Sequence, residues 1–236
     1  MPTVLITGAN RGLGLEFVRQ YAANGWETLA TARDPEQARE LLELAAKHPN
    51  VSLYELNLGD DKSIRELAVN LHGRPIDVLL HNSGIYPRDG QKIGGIDFEA
   101  WLEAVKINLF GAMKLTGELL ENVAASKRKQ IVAISTSMAS IKGVQRTSGA
   151  LGATAYQYRT SKAALNMAFS VLAKELEPRG ISVTMIDPGW VKTDMGGPHA
   201  QLTPEQSITG MRKVLAEDPR ELSGKFLGHD GIERAW

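Results

Sequence analysis

Tyr158 and Lys162 stand four residues apart in the run Tyr156-Gln157-Tyr158-Arg159-Thr160-Ser161-Lys162-Ala163-Ala164-Leu165. The Ala and Leu content of this run favours helix, so the two side chains share one helical face. A phenol has an ordinary pKa of about 10, and a useful proton donor near neutral pH needs a shift of about three units, or roughly 4 kcal/mol. One ammonium about 4 Å away at an effective dielectric near 20 contributes about 4 kcal/mol, so a lysine on the next turn suffices. Tyr-x-x-x-Lys alone is a weak signal, since any long helix can contain it by chance. Tyr156 lacks a lysine one turn on, because Thr160 occupies that place, and it is read as facing substrate or core.

The elements that position this pair begin at the N-terminus. Thr3-Val4-Leu5-Ile6 reads as a short buried strand running into Thr7-Gly8-Ala9-Asn10-Arg11-Gly12-Leu13-Gly14, with a helical pattern directly after it. Glycines in a strand-to-helix turn let backbone amides and the helix dipole meet a pyrophosphate. A nucleotide-triphosphate loop would need Lys and then Ser or Thr after the last glycine, and Leu15-Glu16 stand there instead, so the turn is read as a dinucleotide site. The bland alternative is a glycine-rich turn without a ligand.

Strands are expected near residues 3–7, 27–31, 51–56, 76–81, 130–135 and 181–186, with a last short one near 225–228. Helices are expected over 13–24, 35–47, 60–71, 97–125 and 153–176, the fourth bent at Gly111 or Gly117. This alternation implies a Rossmann-like α/β fold: one domain over residues 1–236 with a doubly wound parallel sheet of about seven strands. Residues 143–152 and 196–204, rich in Gly, Ser, Thr and Pro, are read as loops over a substrate mouth.

The glycine turn, Asn82-Ser83-Gly84 after a strand, Asn108 in a helix, the Tyr158/Lys162 pair and Asp187-Pro188-Gly189-Trp190-Val191-Lys192-Thr193 come in the order of the short-chain dehydrogenase/reductase family, which the chain resembles over nearly its whole length. Within it, the runs 158–166 and 188–197 and the tail from Gly224 to Gly231 look like the C-factor-like and sniffer-like carbonyl reductases. The resemblance implies hydride transfer from a reduced nicotinamide to a carbonyl, with Tyr158 donating the proton and Lys162 lowering its pKa and binding ribose hydroxyls. Asn108 would hold a water linking Lys162 to solvent, although a buried asparagine can equally be a structural hydrogen bonder. The carbonyl-polarising hydroxyl falls on Thr136, where the family usually carries serine, with Ser137 as the alternative.

For the cofactor, the resemblance assigns Gly8, Asn10, Arg11, Gly12, Leu13 and Gly14 to the pyrophosphate turn. It assigns Asn57 and Leu58 to the adenine, Asn82, Ser83 and Gly84 to the fourth strand end, and Pro188, Gly189, Val191 and Thr193 to the nicotinamide carboxamide. Asp34 lies near the distance of a ribose-binding acid, but Asp34-Pro35-Glu36 is also a helix start with Asp as N-cap, and the cap is preferred. The slot where NAD-preferring members carry an acid falls on Ala32 and the next on Arg33, whose guanidinium would pair with a 2′-phosphate, with Arg11 as a second positive charge. NADP(H) is therefore the expected cofactor. His81 is read as structural, and His48, His72, His199 and His229 as dispersed and exposed, with no metal set among them.

The substrate is expected to be a small carbonyl compound or alcohol, with Ile141, Trp190 and Met195, helped by Tyr86 and Tyr156, making an apolar mouth. Charges balance, 27 Lys and Arg against 27 Asp and Glu, so nothing argues for nucleic acid or an anionic membrane. The chain has no cysteine, which excludes disulfides and thiol catalysis, and no apolar run approaches the roughly 20 residues of a membrane span. The first residues belong to the first strand, leaving no room for a signal peptide, and a cytoplasmic location is expected. The resemblance favours a homodimer or homotetramer through the helices over 97–125 and 153–176, whereas some carbonyl reductases of the family are monomers. The rival reading from another class is an NADP-binding signalling or sensor protein with incidental turnover. A dehydratase or epimerase using the same pair would need a larger substrate domain, which this chain lacks.

Overall fold

The computed structural model describes residues 1–88, 92–145 and 154–236. In chain order the first half comprises β1 (Thr3–Ile6), α1 (Gly12–Ala23), β2 (Glu27–Ala32), a 3-10 turn (Pro35–Gln37), α2 (Arg39–Lys47), β3 (Val51–Glu55), α3 (Asp61–Asn70) and β4 (Val78–His81). The second half comprises α4 (Phe98–Val105), a π turn (Lys106–Gly111), α5 (Ala112–Glu118), α6 (Leu120–Ala124), β5 (Gln130–Ile134), α7 (Ile141–Val144), α8 (Tyr156–Leu176), β6 (Ser182–Asp187), α9 (Pro204–Leu215), α10 (Pro219–Leu222) and β7 (Phe226–Gly228).

All seven strands are parallel, in the order β3-β2-β1-β4-β5-β6-β7, as expected for a doubly wound fold. Both faces of the sheet are covered, so its strands read as continuous apolar runs rather than alternating ones. Along β1, Val4 and Ile6 join the cluster beneath α1, α2 and α9, while Leu5 joins the cluster beneath α3, α5 and α8. The strand order reverses between β1 and β4, whose residues Ile6 and Leu80 lie side by side. Such a switch point leaves a crevice outside the carboxyl ends of the two strands, where a ligand binds in open α/β sheets.

The expected helix over 97–125 is interrupted rather than simply bent. Asp97 caps α4 by accepting from the Ala100 amide at 3.0 Å, and the helix widens into the π turn before resuming as α5. The turn ends at Gly111, where a Cβ would sit 2.5 Å from the Leu58 carbonyl oxygen, so only glycine allows this close approach. A second break falls at Leu119, two residues past Gly117. A π turn inserts an extra residue and rotates the next helical segment about the axis, and such turns gather at functional sites; here it carries the buried Asn108.

The preference for Asp34 as an N-cap is corrected in part. Pro35 does open a helical turn, but it is a three-residue 3-10 turn and the Asp34 side chain makes no cap bond. Helix α9 was not anticipated, although Thr203-Pro204-Glu205-Gln206 is a capping box with proline at the first helical position. The expected loop over 143–152 is described only to Gln145, and its first two residues belong to helix α7 instead; residues 146–153, including the expected helix start at Ala153, lie outside the described residues. Helix α8 begins at Tyr156 after Ala155, whose φ of 73° is left-handed and costs an L-residue roughly 1–2 kcal/mol.

Two glycines test how tightly the first turn is built. A Cβ at Gly14 would overlap the Gly8 carbonyl oxygen, both groups being backbone, so Gly14→Ala should push α1 away from β1 and cost about 1–3 kcal/mol. Gly117 is helical with nothing within 4 Å of a built Cβ, so Gly117→Ala should instead stabilise by about 0.5–1 kcal/mol. Urea denaturation of both variants checks the pair, and equal midpoints would remove the close-approach argument.

Candidate active site

A cleft of about 430 Å³ opens at the switch point. Of the residues expected at a cofactor, Gly8, Asn10, Arg11, Gly12, Leu13, Gly14, Arg33, Asn57, Leu58, Asn82, Ser83, Gly84, Tyr158, Lys162, Pro188 and Thr193 line it. Gly189 and Val191, and the catalytic candidates Asn108 and Thr136, are not among the lining residues.

The floor is built by short hydrogen bonds between the ends of β1 and β4. The Thr7 hydroxyl accepts from the Asn82 and Ser83 amides at 3.0 and 2.9 Å, and the Asn82 side chain donates to the Thr7 and Gly8 carbonyls at 2.9 and 3.1 Å. Asn82 therefore holds the glycine turn in shape. Gly8 takes a φ of 67°, and a Cβ there would meet the Ser83 hydroxyl at 2.7 Å. Arg11 at the N-cap of α1 makes no side-chain cap bond, and the N-terminus of this helix faces the cleft. Uncapped amides with the positive end of a helix dipole suit a phosphate group.

Arg33 ends on the rim, exposed and without an ion-pair partner among the described residues. Arg11 behaves differently. Its guanidinium pairs with Asp194 at 2.6 Å across the mouth, while Arg88 donates to the Asp194 carbonyl. Asp194 went unread in the sequence because its role depends on the loop after β6 folding back over the glycine turn. Asn57 spends its side-chain oxygen on the Gly59 amide at 3.0 Å, which shapes the turn after β3. Pro188 is held from behind, its carbonyl accepting from the Ser207 hydroxyl at 2.7 Å. Trp190 donates to the Gly196 carbonyl at 2.8 Å, and Met195 reaches the cleft.

On α8, Tyr158 and Lys162 face the same cleft and are 8% and 3% exposed. Among the described residues the Tyr158 hydroxyl has no hydrogen-bond partner, and its ring packs against Tyr86 at 4.7 Å between centroids. Lys162 donates to the Ile134 carbonyl at 2.8 Å, and burial lowers its pKa to about 8, which leaves it cationic near neutral pH. The expectation that Lys162 brings the phenol down by about three units is not met by the chain's own groups. Burial pushes the Tyr158 pKa up, the Asp187 carboxylate and Tyr86 add to the rise, and Lys162 is not among its determinants. Taking a phenolate out of water outweighs a lysine committed to a carbonyl.

Asn108 is 1% exposed, and its amide works on the backbone. It accepts from Ile85 N–H at 2.8 Å and donates to the Ile85 carbonyl and the Ser161 hydroxyl, each at 3.0 Å. It thus pins the segment after Gly84, where a Cβ would come within 3.4 Å of the Lys162 ammonium. Thr136 is half-buried and its hydroxyl accepts from the Met138 amide at 3.2 Å, which leaves its own proton free to donate. Ser137 is exposed, whereas Ser135 is engaged with the Asn166 oxygen at 2.6 Å. Tyr156 turns away from the cleft, with its ring 6.3 Å from Trp101 of α4.

His81 is structural, as read. It sits edge-on to Phe169 and shares a 2.9 Å hydrogen bond with Thr116, and burial with the nearby Lys162 charge lowers its pKa to about 3. His48 and His229 are half-buried rather than exposed, His229 packing on Gly189. A folded pKa below the unfolded value near 6.5 means that the unfolded chain binds the extra proton between pH 6.5 and 3. Stability should therefore fall on acidification in that window, by about 2 kcal/mol between pH 6.5 and 5 from this one group. His81→Gln should flatten that slope in urea unfolding; an unaltered slope would mean that His81 is charged when folded.

Among the described residues no group of three His, Cys, Asp or Glu side chains could hold a metal ion, and no helix is long and apolar enough to cross a membrane.

Residues 2–202 match the family pattern described as short chain dehydrogenase. The chain is 34% identical over 175 residues to the C-signal protein of Myxococcus xanthus, a match covering 73% of this chain and all of that one. Among solved structures it is similar to the carbonyl reductase Sniffer of D. melanogaster, with a TM-score of 0.91 at 32% identity and full coverage of both chains. It is likewise similar to the NADPH-bound carbonyl reductase from chicken fatty liver, with a TM-score of 0.90 at 33% identity over 100% of this chain and 99% of the other.

Proposed function

The chain belongs to the short-chain dehydrogenase/reductase family, and on that premise we propose that it is an NADPH-dependent oxidoreductase reducing an aldehyde or ketone to the alcohol, with Tyr158 as proton donor. The observation that carries this reading is the delivery of an unpartnered phenol and a buried ammonium, one helical turn apart on α8, into the cleft formed by the glycine turn.

The reduced nicotinamide, when bound, supplies the hydride. The glycine turn and the N-terminus of α1 would hold the pyrophosphate, and Arg33 at the rim would pair with the 2′-phosphate. Lys162, Asn82 and Pro188 line the same cleft and would hold the nicotinamide half. Tyr158 gives its proton to the oxygen of the reducing carbonyl. Its raised pKa keeps it protonated at neutral pH, and an alkoxide is a far stronger base than a phenolate, so the transfer runs downhill. Thr136 donates its free hydroxyl proton to the same oxygen and steadies the developing charge. Trp190, Met195 and Tyr86 favour an apolar substrate.

The likeness to C-signal favours a second reading, a nicotinamide-binding signal protein in which turnover is incidental. A panel of aldehydes, ketones and diketones assayed with NADPH separates the two. Robust consumption of NADPH on at least one apolar carbonyl is expected, whereas tight NADPH binding with no turnover on any would overturn reduction in favour of the signal.

A further inference from the structure

Behind the cleft the sheet edge carries an ion pair between a buried carboxylate and a half-buried guanidinium that none of these roles uses. Asp187 ends β6, is 4% exposed and lies in register with Gly228 of β7. One of its carboxylate oxygens accepts from the Ser137 amide at 3.1 Å, and the other receives Arg234 Nε at 3.4 Å. The same guanidinium donates to Asp230 at 2.9 Å. A Cβ at position 228 would overlap that guanidinium, so Gly228 leaves the lane through which Arg234 reaches Asp187. The C-terminal segment is anchored on both sides of this contact. The Arg234 amide donates to the Phe226 carbonyl at 2.7 Å, and the Trp236 carbonyl accepts from the Lys142 amide at 3.1 Å and the Ser140 hydroxyl at 3.3 Å.

We propose that Arg234 is a positioning residue for the reaction: its guanidinium fixes the Asp187 carboxylate under the turn that carries Thr136 and partly neutralises it within electrostatic reach of Tyr158. The proposal rests on Tyr158 being the proton donor. Tyr86, from the segment after β4, packs on that phenol ring; Lys162, one turn along the same helix, donates to the Ile134 carbonyl; and Asp187 directly follows Ile186, which lies in register with Ile134. Arg11 and Asp194 pair at the cleft mouth, and Arg159, next along α8, donates to the Met138 carbonyl at 3.0 Å. Burial is the larger cause of the raised Tyr158 pKa and the Asp187 carboxylate adds to it, so the charge left on that carboxylate tunes how readily the phenol ionises. Removing Arg234 exposes Tyr158 to the full negative charge; neutralising Asp187 leaves Arg234 positive. The two changes must therefore act with opposite sign.

The test is the ultraviolet tyrosinate titration of the full chain with NADP⁺ added, with the Tyr158→Phe signal subtracted, alongside the pH profile of alcohol oxidation. Arg234→Gln should move both midpoints to higher pH by about 0.5–1 unit, Asp187→Asn should move them lower by a similar amount, and Arg234→Lys should recover at least half of the first shift. Loss of packing alone cannot produce shifts of opposite sign. Unmoved midpoints, or both variants moving the same way, would overturn the proposal. If Arg234→Gln does not fold, Asp187→Asn and Arg234→Lys still decide it, by an acid shift and a near-native midpoint respectively. If the parent chain turns over no carbonyl or alcohol, the proposed function fails on its own, and the titration still reads the effect of the pair on Tyr158.

Discussion

Tyr158→Phe is expected to lower kcat for carbonyl reduction by about 10²–10⁴-fold, the usual contribution of a positioned general acid, while NADPH affinity stays within about threefold. The change is unusually clean here. Phenylalanine keeps the ring and its packing on Tyr86, and the hydroxyl it removes has no partner among the described residues, so no buried group is orphaned. Folding stability should accordingly move by less than about 1 kcal/mol, which separates loss of chemistry from loss of structure. Lys162 stays on the Ile134 carbonyl in the variant, so cofactor binding is not lost with the proton. Stopped-flow reduction and NADPH fluorescence titration make the two measurements. Turnover equal to that of the parent chain would remove Tyr158 from proton transfer, and the proposed mechanism with it.

Arg33→Glu should raise KM for NADPH by about 10–100-fold and lower KM for NADH. A charge-assisted pair to phosphate contributes about 1.5–3 kcal/mol, and the introduced carboxylate repels the same group. The position is favourable for a specificity change because Arg33 supports nothing else: it is exposed, stands on the rim next to the buried Ala32, and shares no ion pair among the described residues. Arg11, offered by the sequence as a second phosphate partner, is held by Asp194 instead, so Arg11→Ala should have the smaller effect on cofactor preference. Ratios of kcat/KM for NADPH and NADH across the two variants check the order. An unchanged ratio in Arg33→Glu would assign the 2′-phosphate to other residues.

The order of elements and the location of the cleft were legible in the sequence because both follow from local rules. Apolar runs such as Thr3–Ile6 must be buried on both faces, glycines at 8, 12 and 14 mark a turn that only a strand followed by a helix would use, and a spacing of four puts Tyr158 and Lys162 on one face. Element type and order are determined by hydrogen bonding and periodicity within a few turns of chain.

What only the tertiary structure decided depends on groups brought together from distant positions. The π turn at Lys106–Gly111 ends where Gly111 packs closely on the Leu58 carbonyl, a contact invisible from either segment alone. Arg11 meets Asp194 across 183 residues and Arg234 meets Asp187 across 47, so neither pairing leaves a local trace. The acidity of Tyr158 belongs with these. Spacing placed a lysine one turn away, but the sign of the shift comes from burial and from Asp187, because desolvation depends on everything packed around a group rather than on its neighbours in sequence.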